Sequence, residues 1–238
     1  MKRRIWELDA FRGICILGVI FVHLVFDATA LYGLLDIQIP AWFQALQQWG
    51  GILFVLLSGI CATLGSHSLK RGMVVFGCGL LVTAVTCGMY LLQMAELWII
   101  IYFGVLHCLG VCMVLWGGLK RLPTWALAAL GAAMAAVGLY LISRTFDNAP
   151  VWMMVLGVRA TGLNTGDYFP LLPYLGFFLL GAVLGRTVYA RKETLLPKVN
   201  AKNPVLRALT FCGRHSLWIY LGHQPLLAGL FTLLTMIK

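Results

Sequence analysis

Residues 8–27 form an apolar run that is long enough to cross a bilayer, yet the run contains four ionisable residues: Asp9, Arg12, His23 and Asp27. A spanning helix needs about 20 mainly apolar residues. Ionisable groups inside such a helix are costly enough to indicate an ion path, a substrate path or a catalytic site. This combination predicts a membrane helix with one polar face.

Helical geometry places the four ionisable residues on one stripe. Arg12 and His23 are eleven positions apart, so at about 100° per residue their side chains lie within about 20° of each other. Asp9 and Asp27 extend the stripe as the i−3 neighbour of Arg12 and the i+4 neighbour of His23. We expect this face to border a protein interior or a hydrated cavity. The alternative is an Asp9–Arg12 ion pair at the inner end of the helix and headgroup-level residues at the outer end.

The composition indicates a polytopic membrane protein. Apolar residues make up 61% of the 238 residues, against about 45 to 50% in soluble domains. The predicted fold is therefore an all-α transmembrane helical bundle, with residues 1–238 as one domain and no separate soluble domain. A cleaved signal peptide is not expected, because Asp9 and Arg12 interrupt the start of the apolar run.

Turn and charge signals divide the chain into about seven predicted spans. Their approximate limits are 9–27, 45–66, 72–92, 97–116, 123–144, 171–189 and 216–237. Residues 186–214 form a basic connection before the last span. The glycines at positions 176, 181 and 185 of the sixth span predict close helix approach.

The distribution of lysine and arginine predicts a cytoplasmic N-terminus. Fourteen of these residues fall on the N-terminal side of the predicted bundle: Lys2, Arg3, Arg4, Lys70, Arg71, Lys120, Arg121, Arg186, Arg191, Lys192, Lys198, Lys202, Arg207 and Arg214. Only Arg144, Arg159 and Lys238 fall on the opposite side, which the positive-inside rule makes the outer side. Five carboxylates are also predicted there: Asp27, Asp36, Glu96, Asp147 and Asp167. They could attract a cationic acceptor, although ordinary loop solvation would supply the same residues.

Several function classes lack their sequence signals. The net charge is +10, but the basic residues lie in short connections without a nucleic-acid motif, so no nucleic-acid partner is expected. The seven cysteines never form a CxxC pair, which predicts neither a disulfide framework nor a zinc site, and no metal is expected. Gly-x-Ser-x-Gly, P-loop and His-Glu-x-x-His motifs are absent from the sequence.

Three histidines, His23, His107 and His223, lie in three different predicted spans. A single histidine in a membrane helix is often a satisfied hydrogen-bonding residue, but three in separate helices favour a site. Tyr220 and Gln224 occupy helical positions from which they could orient the imidazole of His223.

A buried histidine with carboxylates and an arginine suits general-base or acyl-histidine transfer chemistry. Neutral imidazole can accept a proton from an attacking amine or hydroxyl near pH 7, and Asp27 could hold the tautomer of His23. Arg12, at the cytoplasmic end of the same face, would suit a phosphate-bearing donor.

Five segments carry a resemblance to a known family. They are RIWELDAFRGICILGVIFVH, LFVLLSGICATLGS, IYFGVLHCLGV, DYFPLLPYLGFFLLGAVLG and GRHSLWIYLGHQPLL. In content and order, over nearly the whole chain, they resemble bacterial members of the heparan-alpha-glucosaminide N-acetyltransferase catalytic-domain family. The spacing of Arg12 and His23 is also similar to the arginine-ten-histidine signature of the acyltransferase-3 membrane family, which suggests a common superfamily.

The resemblance implies transfer of an acyl group, usually acetyl from cytosolic acetyl-CoA, to a sugar amine or hydroxyl across the membrane. The lysosomal enzyme of this family has its catalytic histidine in the loop after the first span, whereas residues 28–44 here contain none. The role must therefore move to His23, move to His107 or His223, or be absent. Because the chain lacks the large lumenal region of that enzyme, heparan sulfate itself is not the expected acceptor.

The leading hypothesis is an acetyl-CoA-dependent acyltransferase integral to a bacterial-type cytoplasmic membrane. His23 would be the base or transient acyl carrier and Asp27 would orient it, while His107 and His223 would line the same cavity. Arg12 and Asp9 would anchor or gate the donor end. The implied partners are the bilayer, acyl-CoA and a glycan or glycoconjugate acceptor, with a homo-oligomer left open. The alternatives are a carrier or flippase for a polar glycoconjugate with a proton relay, and a bundle whose polar stripe only fixes helix packing.

Overall fold

The computed structural model describes residues 5–201 and 203–237, which are mainly helical. The described α-helices are α1 (Trp6–Phe26), α2 (Ala41–Leu64), α3 (Ser68–Leu91), α4 (Val105–Leu119), α5 (Thr124–Ile142), α6 (Leu171–Thr187), α7 (Pro204–Arg214) and α8 (Ser216–Ile237). A π-helical turn, Asp27–Leu31, continues α1. Short 3₁₀ helices occupy Leu97–Ile99 and Val151–Leu156. Two short strands, β1 (Thr145–Phe146) and β2 (Arg159–Ala160), pair in parallel.

The helices confirm the predicted all-α polytopic membrane fold. Five segments of the described chain are long and apolar enough to cross a membrane: Trp6–Leu31, Ala41–Leu64, Ser68–Leu91, Thr124–Ile142 and Ser216–Ile237. The shorter apolar helices α4 and α6 correspond to the predicted fourth and sixth spans. The protein is therefore an integral membrane protein. The cytoplasmic N-terminus stays a prediction. Five of the lysine and arginine residues on which it depends lie outside the described residues: Lys2, Arg3, Arg4, Lys202 and Lys238.

The structure differs from the sequence-based prediction most at α4 and α7; the starts of α2 and α3 lie only four residues earlier than predicted, at Ala41 and Ser68. The predicted fourth span was wrong for residues 97–104, because α4 begins only at Val105. There the carboxylate of Asp167 accepts a hydrogen bond from the Val105 N–H at 2.9 Å and fixes the helix start. The helix α7 was not predicted. Its start is set by the Asn203 side chain, which accepts from the Val205 N–H at 2.9 Å, and by a proline in its first turn.

The chain forms two compact units, each with its own packing. Unit 1 contains the described residues of 1–54 and 191–238, and unit 2 is Val55–Ala190. The division between the units falls within α2. Unit 1 thus contains both the first and the last part of the chain.

Unit 1 is built on α1, which packs against α7 and α8. Gly13 and Gly213 allow the closest approach, because a Cβ at Gly13 would overlap the Leu209 carbonyl and a Cβ at Gly213 would overlap the Asp9 carbonyl. Glu7 holds the segment that precedes α7, since its carboxylate accepts at 2.8 Å from the Thr194 hydroxyl. It also accepts from the N–H of the following residue at 2.8 Å.

The polar stripe of α1 is covered, as predicted. Asp9, Arg12 and His23 are half-buried, and the side chain of Asp27 is fully buried at 0% exposure. Large apolar side chains of the same helix are the exposed ones: Phe11, Ile14, Leu17, Phe21 and Leu24. The exposed apolar side chains suit contact with lipid, and the stripe faces protein.

Unit 2 contains two closely packed helix pairs, α3 with α4 and α5 with α6. Glycines permit the contacts, and the prediction for the sixth span is confirmed. A Cβ at Gly176 would overlap the Ala135 backbone, one at Gly181 the Leu56 carbonyl, and one at Gly185 the Thr63 hydroxyl. Small residues at helix interfaces let backbones approach closely in membranes.

The buried cap at the start of α4 makes the stability of the protein sensitive to pH. Burial raises the pKa of the Asp167 carboxyl to about 6 from an ordinary value of 3.8, although backbone N–H groups of Val105 and Tyr168 oppose the shift. Since the folded-state pKa is the higher one, this contribution to stability is complete below pH 3.8 and is lost as the pH rises through about 6.

We therefore expect the unfolding temperature of the wild type to fall relative to that of Asp167→Asn as the pH is raised from about 4 to about 7. Thermal unfolding of both proteins in detergent, across this pH range, measures the difference. Parallel curves for the two proteins would contradict the assignment.

Candidate active site

Two imidazoles that are distant in sequence meet in unit 1. The rings of His23 on α1 and His223 on α8 have centroids 4.9 Å apart, with an interplanar angle of 59°. His223 is 7% exposed, and His23 is half-buried. The structure thus brings together two of the three histidines that the sequence singled out.

The tautomer of His223 is set by the backbone. Its Nδ1 lies 2.5 Å from the carbonyl oxygen of Tyr220, and a carbonyl can only accept, so Nδ1 carries the proton and donates it. In the neutral ring Nε2 is then the unprotonated nitrogen. This Nε2 is buried and has no hydrogen-bond partner among the described residues. His223 therefore presents an unused proton acceptor.

Asp27 is held by an amide. Gln224 Nε2 donates to both carboxylate oxygens of Asp27, at 3.1 Å and 3.0 Å. The sequence predicted that Asp27 orients His23, and that Tyr220 and Gln224 could orient the imidazole of His223. In the structure Asp27 and Gln224 bind each other, and the backbone carbonyl of Tyr220 orients His223.

Two neighbouring acceptors on α8 remain unpaired. Gln224 points its amide nitrogen at Asp27, so its Oε1 faces away, and this Oε1 is also buried without a partner among the described residues. Buried polar atoms are usually hydrogen-bonded, and each exception requires an explanation. Both orphaned atoms, His223 Nε2 and Gln224 Oε1, need a donor. An N–H or O–H group of a ligand would satisfy them.

The inner part of the stripe is paired differently from the alternative considered above. Asp9 forms an ion pair with Arg214, with Nε and Oδ2 3.2 Å apart, instead of pairing with Arg12. Within residues 5–201 and 203–237, no carboxylate forms an ion pair with Arg12. Arg12 is therefore a half-buried cation that could hold an anionic group.

The third histidine, His107, lies in unit 2 and has both ring nitrogens engaged. Nδ1 accepts from the Gly104 N–H at 3.3 Å, which leaves the proton on Nε2. This Nε2 donates to the Thr83 hydroxyl at 3.3 Å, and that hydroxyl donates to the Ile101 carbonyl at 2.6 Å. The ring is 3% exposed and lies between Phe76 and Phe103, each 5.6 Å away between centroids. These contacts favour a structural role for His107.

Replacing His107 with alanine should destabilise the protein, and the molecules that remain folded should keep the acyl transfer predicted from the sequence. The change leaves the Gly104 N–H unpaired and opens a cavity, which together cost about 2 to 4 kcal/mol. Thermal unfolding in detergent measures the loss, and kcat per folded molecule measures the chemistry. Thr83→Ser, which keeps the hydroxyl, is the matched control. A folded His107→Ala protein with a 100-fold lower kcat would assign this histidine to the reaction instead.

In the part of the chain that the structure describes, no cluster of three or more His, Cys, Asp or Glu side chains could hold a metal ion.

Sequence reasoning missed Arg214 as the partner of Asp9 and Gln224 as the partner of Asp27. The only available signal for Gln224 was its position beside His223 and before Pro225, at mid-span.

Comparison with known proteins identifies a family. The family model described as "Heparan-alpha-glucosaminide N-acetyltransferase, catalytic" matches residues 4–225. This range includes His23, Asp27, His107, His223 and Gln224. No curated protein and no solved structure matches the chain.

Proposed function

We propose a membrane acetyl transfer reaction for this chain, which belongs to the heparan-alpha-glucosaminide N-acetyltransferase catalytic family. In this proposal the donor is cytosolic acetyl-CoA, and the acceptor is an amine or hydroxyl of a sugar on the far side of a bacterial-type cytoplasmic membrane. The family membership supports acetyl transfer. The spanning helices support a reaction that takes place within the bilayer.

The observation that carries the proposal is the contact between His23 and His223, in which Nε2 of His223 has no hydrogen-bond partner among the described residues. Because the Tyr220 carbonyl holds the proton on Nδ1, the unprotonated Nε2 of His223 is available as a general base. In the proposed step, Nε2 takes the proton of the acceptor N–H or O–H as that atom bonds to the acetyl carbon. The carbon–sulfur bond of the donor breaks, and the proton passes to the departing thiolate.

His23 is proposed to act beside this base. Its ring contacts the His223 ring, and no hydrogen bond within the described residues occupies its nitrogens. His23 can therefore relay the proton or carry the acetyl group for a moment, which keeps the role predicted from the sequence. Arg12, which lacks an ion-pair partner among the described residues, is proposed to hold a phosphate of the donor.

Asp27 and Gln224 are proposed to position the acceptor. Both oxygens of the Asp27 carboxylate accept hydrogen bonds from the Gln224 amide and fix its orientation. The buried Oε1 of Gln224 therefore points in a constant direction. An acceptor amine or hydroxyl that donates to this Oε1 would lie next to the residue that supplies the base. This arrangement would reduce the entropy cost of bringing the reacting groups together.

The test is a transfer assay with the full chain in sealed proteoliposomes. Radiolabelled acetyl-CoA is added on the side of the basic connections, and a panel of amino sugars is enclosed or added on the opposite side. Acetylated sugar across the membrane is the expected product. Labelled product that forms only when donor and sugar share one side would overturn the transmembrane direction, and no product with any acceptor would overturn the transfer.

The same liposomes test the carrier alternative. Proton-coupled uptake of a glycoconjugate without any acyl donor, in a protein that does not bind CoA, would replace the transferase proposal. The double substitution of Arg12 and His23 tests the third alternative, which predicts a change in stability and no loss of either transfer or uptake.

A further inference from the structure

A groove of about 660 Å³ runs along α7 in unit 1. It is lined by both arginines of that helix, Arg207 and Arg214, and by three aromatic rings, those of Trp6, Phe211 and His215. None of these five residues belongs to the histidine pair or its positioning residues. The groove therefore needs an explanation of its own.

The spacing of the side chains places cations and a ring on one face of α7. Arg207, Phe211 and Arg214 are separated by four and three positions, so they lie along one side of the helix. The Phe211 ring also contacts the His215 ring, with centroids 4.5 Å apart. The face thus alternates guanidinium, aromatic ring and guanidinium, and Trp6 lines the same groove.

The carboxylates near this groove are already engaged. Glu7 accepts from Thr194 and from the next backbone N–H, and Asp9 pairs with Arg214. Arg207 is exposed, and no carboxylate of the described residues forms an ion pair with it. The groove therefore keeps uncompensated positive charge beside flat apolar surfaces.

This chemistry fits a phosphate that is attached to an aromatic base. Guanidinium groups bind phosphate through paired charge-assisted hydrogen bonds, and aromatic side chains stack on purine rings. We infer that the groove binds the phosphorylated adenosine end of the acyl-CoA donor, an inference that rests on the proposed function. An anionic lipid headgroup offers the same phosphate without the purine, so the experiment must separate the two sources.

Binding of adenosine 3′,5′-bisphosphate to the full-length protein in phosphatidylcholine nanodiscs, measured by calorimetry, is the direct test. Arg207→Gln removes the charge of a side chain that forms no ion pair with the described residues. We expect the Kd of this variant for the bisphosphate to be about tenfold higher than that of the wild type. Arg191→Gln removes an exposed charge outside the groove and should leave Kd unchanged. Phe211→Leu should weaken binding of the bisphosphate and leave binding of inorganic phosphate as in the wild type.

Equal affinity of the wild type and Arg207→Gln for the bisphosphate would overturn the inference. In a second membrane that mixes phosphatidylglycerol with phosphatidylcholine, selective loss of phosphatidylglycerol from the lipid around Arg207→Gln with unchanged nucleotide affinity would also overturn it, since that result would make the groove a lipid headgroup site. Kinetics separate this inference from the proposed function. We expect Arg207→Gln to raise KM for acetyl-CoA about tenfold with kcat unchanged.

Two outcomes distinguish the failures. Acetyl transfer by a wild-type protein that does not bind the bisphosphate would overturn the groove assignment and leave the transferase proposal in place. Bisphosphate binding that depends on Arg207, in a wild-type protein without transfer activity, would support the groove and overturn the reaction.

Discussion

His223→Ala is expected to lower kcat for acetyl transfer by about 100-fold or more, because general-base catalysis contributes about 10² to 10⁴ in rate. The substitution removes an imidazole whose tautomer is fixed by the hydrogen bond from Nδ1 to the Tyr220 carbonyl, which leaves Nε2 unprotonated. Radiolabelled transfer from acetyl-CoA at saturating acceptor is the measurement. Added free imidazole should restore part of the rate if the side chain acts as a base.

Controls separate a chemical role of His223 from a structural one. His67→Ala replaces an exposed histidine of unit 2 and should leave kcat unchanged. His23→Ala should lose a comparable factor if its ring relays the proton or carries the acetyl group. Full transfer by both His223→Ala and His23→Ala would remove the imidazole pair from the mechanism.

Gly213→Ala is expected to destabilise unit 1 by about 1 to 3 kcal/mol, the usual cost of adding volume where no space exists. A Cβ at this position would overlap the Asp9 carbonyl, so α7 must move away from α1. That movement would also separate Arg214 from Asp9. Thermal unfolding in detergent, followed by size-exclusion chromatography, measures the loss.

A second glycine of the same unit provides the control. Gly18 lies on α1, and a Cβ there would meet nothing within 4 Å. Gly18→Ala should therefore be neutral or stabilising by up to about 1 kcal/mol, since alanine is the better helix former. Equal unfolding temperatures for the two variants would show that α1 and α7 tolerate separation.

Local sequence signals predicted the helices well where apolar runs end in charges or turn residues. The last span was predicted at 216–237, and α8 occupies Ser216–Ile237. The start of α4 could not be predicted in the same way, because residues 97–104 are as apolar as the helix that follows. What ends the irregular segment is the Asp167 carboxylate, 62 positions further along the chain.

The site shows the same division between local and long-range information. Helical spacing correctly placed the polar stripe of α1 on a covered face. The pairing of Asp27 with Gln224, however, joins residues 197 positions apart, and no local pattern encodes it. Likewise, composition cannot distinguish His223, with one free nitrogen, from His107, with two engaged nitrogens.

The union of the first and last parts of the chain in unit 1 has a consequence for biogenesis. The Asp27 carboxylate finds its amide partner only after a further 197 residues have been made, which takes about 10 to 40 s at ribosomal rates of about 5 to 20 residues per second. During that interval α1 lies in or near the translocation machinery, and the polar stripe lacks the hydrogen-bond and ion-pair partners that the last part of the chain supplies. Nascent chains arrested before residue 216 should therefore crosslink through this stripe to an insertase, and chains released after α8 should not.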